Sequence, residues 1–73
     1  MNTTPLRQAR KSAGYSLAYV EQSTGIDRAA LSRIERGLQG ATPSVAEKLA
    51  LFFGHRVTEM QILYPQRYMS TAA

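Results

Sequence analysis

Residues 16–37 decide the fold, and they read SLAYVEQSTGIDRAALSRIERG. Within this stretch, two short helical patterns flank a glycine at position 25. Ser16 and Asp27 are suitable N-caps for the two helices, because their side-chain oxygens can accept hydrogen bonds from backbone N–H groups of the first turn. Gly25 can adopt the positive φ of a tight turn at no steric cost. The stretch therefore predicts two helices joined by a glycine-centred turn, a helix-turn-helix.

The second of these helices has an inner face and an outward face. We expect Leu31 and Ile34 to pack against Val20 of the first helix, while Ile26 fills the base of the turn. Helical spacing then leaves a polar and basic outward face. Its members are Arg28, Ala29, Ser32, Arg33 and Arg36. Small residues let a helix lie deep in a major groove, from which arginines can reach base edges or phosphates.

The same helix signals recur on both sides of residues 16–37. Upstream, Thr4 is an N-cap followed by a proline at the first helical position, and Gly14 ends that helix. Downstream, Ser44 and Glu47 are expected to form a capping box that starts a fourth helix. The predicted apolar stripe of that fourth helix consists of Val45, Leu49, Phe52 and Phe53.

A second capping box, formed by Thr58 and Gln61, starts a short fifth helix that Pro65 ends. No stretch alternates apolar and polar residues over the length of a strand. The expected fold class is therefore all-α, with five helices in one domain over residues 1–65. Residues 66–73 form a C-terminal tail that either contacts a second protomer or is disordered.

Residues 16–37 resemble the helix-turn-helix of the phage Cro and repressor family, also called the Xre type. The ending Leu-Ser-Arg-Ile-Glu-Arg-Gly, residues 31–37, is typical of that family. Outside the motif, the resemblance rests on Leu6, Arg7, Arg10, Gly14, Pro43, Ser44, Leu49, Ala50 and Gly54, and it extends to about Leu63. It implies a five-helix, λ-repressor-like domain that binds a palindromic DNA operator as a homodimer. It also implies a transcriptional regulator, usually a repressor.

The resemblance assigns roles to individual positions. It places base contacts at Arg28, Ala29, Ser32 and Arg33. It places phosphate contacts at Ser16, Leu17, Arg36, Gln39, Gly40 and Thr42, largely through backbone N–H groups. Arg10 and Glu35 match a partly buried ion pair between the first and third helices. Glu21 stands where the family has a small alanine, so its carboxylate must extend outward or find a cationic partner.

The charge of the chain is consistent with a nucleic-acid partner. Its 73 residues include nine Lys and Arg against five Asp and Glu, a net charge of +4. A basic face on a small domain is a common feature of nucleic-acid binding. An ordinary solvated surface is the alternative reading of the same charges.

The residue inventory argues against other functional classes. The chain has no cysteine and one histidine, His55, so we expect neither a disulfide nor a metal site. With scattered carboxylates and no glycine-rich phosphate motif, we expect no enzyme activity, no cofactor and no small-molecule ligand. The longest apolar run, residues 49–53, is too short to span a membrane, and no signal peptide is visible. We therefore expect a cytoplasmic protein without membrane association.

Two alternatives stay open at this point. The same fold can serve as a protein-interaction module, such as an antitoxin that sequesters a partner, although the basic outward face favours DNA. The second open question is which surface forms the dimer contact. Tyr64 to Met69, together with the preceding helix, is the candidate segment because it holds apolar residues beyond those of the five-helix core.

Overall fold

The computed structural model describes residues 3–68, and these residues form five α-helices and no strand. The helices are α1 (Pro5–Ala13), α2 (Leu17–Thr24), α3 (Arg28–Glu35), α4 (Pro43–Phe52) and α5 (Glu59–Leu63), followed by a 3-10 turn at Pro65–Arg67. The predicted all-α class and the five helices are confirmed. Among residues 3–68, no helix has the length and apolar content to cross a membrane.

Local sequence explains most of the helix boundaries. The side-chain oxygens of four predicted N-caps accept backbone hydrogen bonds as expected; these caps are Thr4, Ser16, Asp27 and Thr58. The reciprocal capping box between Thr58 and Gln61 is also present. Each cap supplies an acceptor to an N–H group that has no partner inside its own helix.

The predicted capping box at the start of α4 is wrong. The helix begins two residues earlier than expected, at Pro43, and its N-cap is Thr42, whose hydroxyl accepts a hydrogen bond from the Val45 N–H at 3.2 Å. Proline suits the first helical position because its φ is fixed near the helical value and it has no N–H to satisfy. The same Thr-Pro signal starts α1, so the sequence contained the correct start. Ser44 is an exposed residue inside the first turn.

The core draws on every helix and on the loops between them. Its buried members are Leu6, Val20, Ile26, Leu31, Ile34, Ala46, Leu49, Ala50, Phe53, Val57 and Ile62. On α4 the buried stripe includes Ala46 and Ala50, whereas the predicted Val45 and Phe52 are only half-buried. The stripe is displaced because α4 packs against both α5 and α2, and small side chains allow the close approach.

Candidate nucleic-acid interface

The α2–turn–α3 unit is locked by apolar contacts on its inner side. Leu31 and Ile34 of α3 are buried together with Val20 of α2, as predicted. Ile26 is 9% exposed and closes the base of the turn. Gly25 has φ +78°, a left-handed conformation that β-carbon-bearing residues rarely adopt. These contacts fix the angle between α2 and α3 and leave the other side of α3 uncovered.

The outward side of α3 carries the predicted base-contact residues. Arg28, Ala29 and Arg33 are exposed there, and Ser32 beside them is half-buried. Arg36 is also exposed, but it lies at the C-cap of α3 rather than within the helix. The structure therefore brings all five predicted positions to one continuous surface, with the alanine between the arginines.

Each arginine of this surface is anchored through its Nε atom. The Arg28 Nε donates to Glu21 Oε1 at 3.2 Å, and the Arg33 Nε donates to Gln39 Oε1 at 2.7 Å. The Arg36 Nε donates to the Ser32 carbonyl at 3.3 Å. An arginine that is bonded through Nε still has the N–H donors of its two Nη groups, which lie at the far end of the guanidinium. In residues 3–68, the Nη groups of these three arginines have no hydrogen-bond acceptor.

Apart from Arg36, the predicted phosphate contacts provide backbone N–H donors and no charge. Ser16 is the N-cap of α2, and the side chain of Leu17 packs inward on the core, which leaves its N–H at the helix start. Gln39, Gly40 and Thr42 are exposed in the loop between α3 and α4. Within residues 3–68, no acceptor is found for the N–H groups of Leu17, Gln39, Gly40 or Thr42. Such N–H groups can bind an anion, most favourably at the positive end of a helix dipole.

Two contacts from α1 hold the far end of α3. The Arg10 Nε and Nη2 donate to the two carboxylate oxygens of Glu35, at 2.5 and 3.0 Å, which confirms the predicted ion pair. The Arg10 Nη1 donates to the Tyr15 carbonyl at 2.7 Å. The buried Thr4 hydroxyl donates to the Glu35 carbonyl at 2.6 Å. The end of α3 is therefore fixed through both the side chain and the backbone of one residue.

The helix-turn-helix family model matches residues 6–59 of the 73, which includes all of α2, α3 and α4, nearly all of α1 and the start of α5. The chain belongs to the Xre-type helix-turn-helix family. This family consists of DNA-binding regulators of transcription. No curated protein and no solved structure gives a significant match to the chain.

Three contacts of this helix-turn-helix domain did not follow from the sequence. The Glu21 carboxylate found its cationic partner in Arg28, as one of the two expected outcomes, but it also accepts a hydrogen bond from the Arg28 N–H at 3.1 Å. The side chain of Gln39 contacts Arg33, whereas only its backbone was assigned a role. The Thr4 bond to Glu35 joins residues 31 positions apart. Spacing along one helix cannot indicate contacts of this kind.

The candidate dimer segment of the helix-turn-helix domain presents three exposed apolar residues. Met60, Tyr64 and Tyr68 are 44%, 47% and 46% exposed. The guanidinium carbon of Arg67 lies 4.8 Å from the centre of the Tyr64 ring. Met69, the last residue of the candidate segment, lies outside the described residues, as do residues 70–73 of the tail.

Proposed function

We infer that this protein is a sequence-specific transcriptional regulator that binds a palindromic operator as a homodimer and inserts α3 into the major groove. The observation that carries the proposal is the outward side of α3. The inner side of α3 is buried in the core, whereas Arg28, Ala29 and Arg33 on the outward side are exposed. Hydrogen bonds hold α3 at both of its ends. A helix that enters a groove needs this combination of a fixed position and an unobstructed polar face.

The side chains on this face suit direct readout of bases. A guanidinium can donate two hydrogen bonds to the O6 and N7 atoms of guanine, which is the commonest specific contact in the major groove. Ala29 can contact the methyl group of thymine. Arg28, Ala29, Ser32 and Arg33 are the proposed base-contacting residues.

The residues around α3 offer donors and positive charge that can bind the phosphates of the DNA backbone. The N–H groups of Leu17, Gln39, Gly40 and Thr42 have no acceptor within residues 3–68, and Arg36 adds an exposed positive charge at the end of α3. Contacts of this kind fix the register of a protein on the duplex without reading its sequence. The proposed phosphate contacts are Ser16, Leu17, Arg36, Gln39, Gly40 and Thr42.

Two-fold symmetry follows from the dimensions of B-DNA. One α3 helix reads only a few base pairs, so specificity requires a second helix about 34 Å away, one turn along the duplex. The proposed dimer contact consists of Met60, Tyr64 and Tyr68, since these apolar side chains at the C-terminal end of the described chain are exposed, and exposed apolar residues often mark a protein interface. Operator binding also places the proposed activity in the cytoplasm, where bacterial and phage DNA is found.

Selection of bound sequences from a random DNA pool tests the proposal. We expect enrichment of a palindrome whose half-sites are about one helical turn apart. The matched control is a variant with both Arg28→Ala and Arg33→Ala, which should retain the fold and enrich no motif. If the unmodified protein enriches no sequence, the proposal is wrong. The basic face would then serve a protein partner, as in an antitoxin on the same fold.

A further inference from the structure

Glu21 has an unusual position for an acidic residue, because it lies beside the leading arginine of the face proposed to contact DNA. One carboxylate oxygen accepts from the Arg28 N–H at 3.1 Å, and the other accepts from the Arg28 Nε at 3.2 Å. A carboxylate near DNA repels phosphate, so its presence there calls for a function. The two hydrogen bonds to one residue suggest what that function is.

The two bonds fix the direction of the Arg28 side chain. The bond to the backbone N–H holds Glu21 at the start of α3, and the bond to Nε then brings the guanidinium to the same point. The Nη1 and Nη2 groups are left without acceptors in the described part of the chain. These two groups form the end of the guanidinium that can donate to guanine O6 and N7 together.

The same contact changes the affinity of Arg28 for phosphate. A free arginine is a mobile charge that binds any phosphate oxygen within reach. The Glu21 carboxylate lowers the positive potential that Arg28 presents to a phosphate, in a pair whose side chains are 60% and 32% exposed, and Arg28 keeps its Nη donors for a base. The side chain is also ordered before binding, so less conformational entropy is lost when the complex forms.

We propose that Glu21 is a specificity-determining residue that orients Arg28 toward a guanine and prevents it from binding phosphate. Glu21 itself is a positioning residue and needs no contact with DNA. Arg33 is held by one hydrogen bond only, from its Nε to the neutral side-chain oxygen of Gln39. The proposal rests on the proposed function, because it describes how the same face would discriminate between sequences.

The test uses a duplex selected from a random pool and a series of single base-pair variants of that duplex. Arg28→Ala first identifies the base pair whose preference depends on Arg28. We then expect Glu21→Ala to lose about tenfold in preference at that base pair, within the range for one bidentate contact. Glu21→Ala should bind random duplex more tightly, and its salt dependence should steepen by about one per protomer as Arg28 turns to a phosphate.

Two controls separate positioning from charge and from folding. Glu47→Ala removes the same charge from an exposed position on α4, outside the proposed DNA-contacting residues and the candidate dimer segment, and should leave the preference unchanged. In an Arg28→Ala background, Glu21→Ala should have no further effect on that base pair. If Glu21→Ala does not fold, Glu21→Gln keeps the side-chain volume and should also reduce the preference, since a neutral oxygen binds Nε more weakly.

The outcomes that overturn the proposal differ from those that overturn the proposed function. If the unmodified protein selects no sequence, the DNA-binding proposal itself fails. If it does select one, a folded Glu21 variant that keeps full preference at the Arg28 base pair overturns the role of Glu21. An equal loss at that base pair with and without Arg28 overturns it as well.

Discussion

Arg10 and Glu35 join α1 to the end of α3 through two parallel hydrogen bonds between guanidinium and carboxylate. Their side chains are 13% and 5% exposed, so the pair is largely shielded from water. A buried carboxylate is tolerated here because both of its oxygens have donors. The third donor of Arg10 satisfies the Tyr15 carbonyl, which ties the loop before α2 to the same point.

Glu35→Ala should therefore destabilise the domain strongly. Removing one partner of a buried ion pair costs about 3–5 kcal/mol, because the remaining charge is left without compensation. The measurement is the free energy of unfolding in urea. Glu47→Ala, which removes an exposed glutamate on α4, is the control and should change stability by less than about 0.5 kcal/mol. An unchanged denaturation midpoint for Glu35→Ala would mean that the pair contributes nothing.

Thr4→Val should also lower stability, by about 1–2 kcal/mol. Valine has the shape of threonine, but it cannot donate to the Glu35 carbonyl or accept from the Arg7 N–H. Thr4→Ser keeps the hydroxyl and is expected to cost clearly less. Chemical denaturation of both variants makes the comparison, and equal losses would attribute the effect to the methyl group instead of the hydrogen bonds.

Gly25→Ala should cost about 1–2 kcal/mol through the backbone alone. The glycine has φ +78°, and a Cβ atom added there would meet no atom within 4 Å, so crowding makes no contribution. Gly40→Ala is the matched control, since the surroundings of Gly40 are equally open and its φ is not in the left-handed range. It should be neutral or slightly stabilising. Similar losses in thermal unfolding for both variants would contradict the argument.

Substitutions of Arg33 and Arg36 should have different effects, because Arg33 is proposed to contact a base and Arg36 a phosphate. Arg33→Ala is expected to cost about 1–3 kcal/mol on the selected duplex and to relax preference at one base pair of each half-site. Arg36→Ala should weaken specific and random duplexes alike and reduce the salt slope by about one per protomer. Titrations of both duplexes over a salt series distinguish the two. Equal loss on all sequences for Arg33→Ala would make Arg33 a phosphate contact.

A variant with Tyr64→Ser and Tyr68→Ser should weaken cooperative binding to a full palindrome while leaving half-site affinity unchanged. The reason is that both rings are about half exposed, and both belong to the proposed dimer contact. Leu51→Ser is the control, because Leu51 is 62% exposed on a different helix. Binding to full and half sites is measured by gel shift. Loss of cooperativity in the control alone would move the dimer contact to α4.

The sequence-based predictions agree best with the structure where all the residues of a pattern lie within or next to one helix. The caps at Ser16, Asp27 and Thr58, and the left-handed glycine at position 25, involve residues a few positions apart. The ion pair of Arg10 with Glu35 is a contact across 25 positions, and it followed only from the resemblance to the Xre family. The start of α4 was misplaced because a Ser-x-x-Glu pattern competed with the Thr-Pro signal two residues earlier.

The sequence by itself determined the five helices, the turn at Gly25 and the polar outward face of α3, because these depend on local conformational preference and helical period. Only the tertiary structure decided which acceptors hold Arg28 and Arg33 on that face. By chemistry alone, either arginine could bond to Glu21 or to Gln39. The choice among them depends on the angle at which α2 meets α3 and on the path of the loop after α3. Both are set by packing of the whole core, which no short stretch of sequence contains.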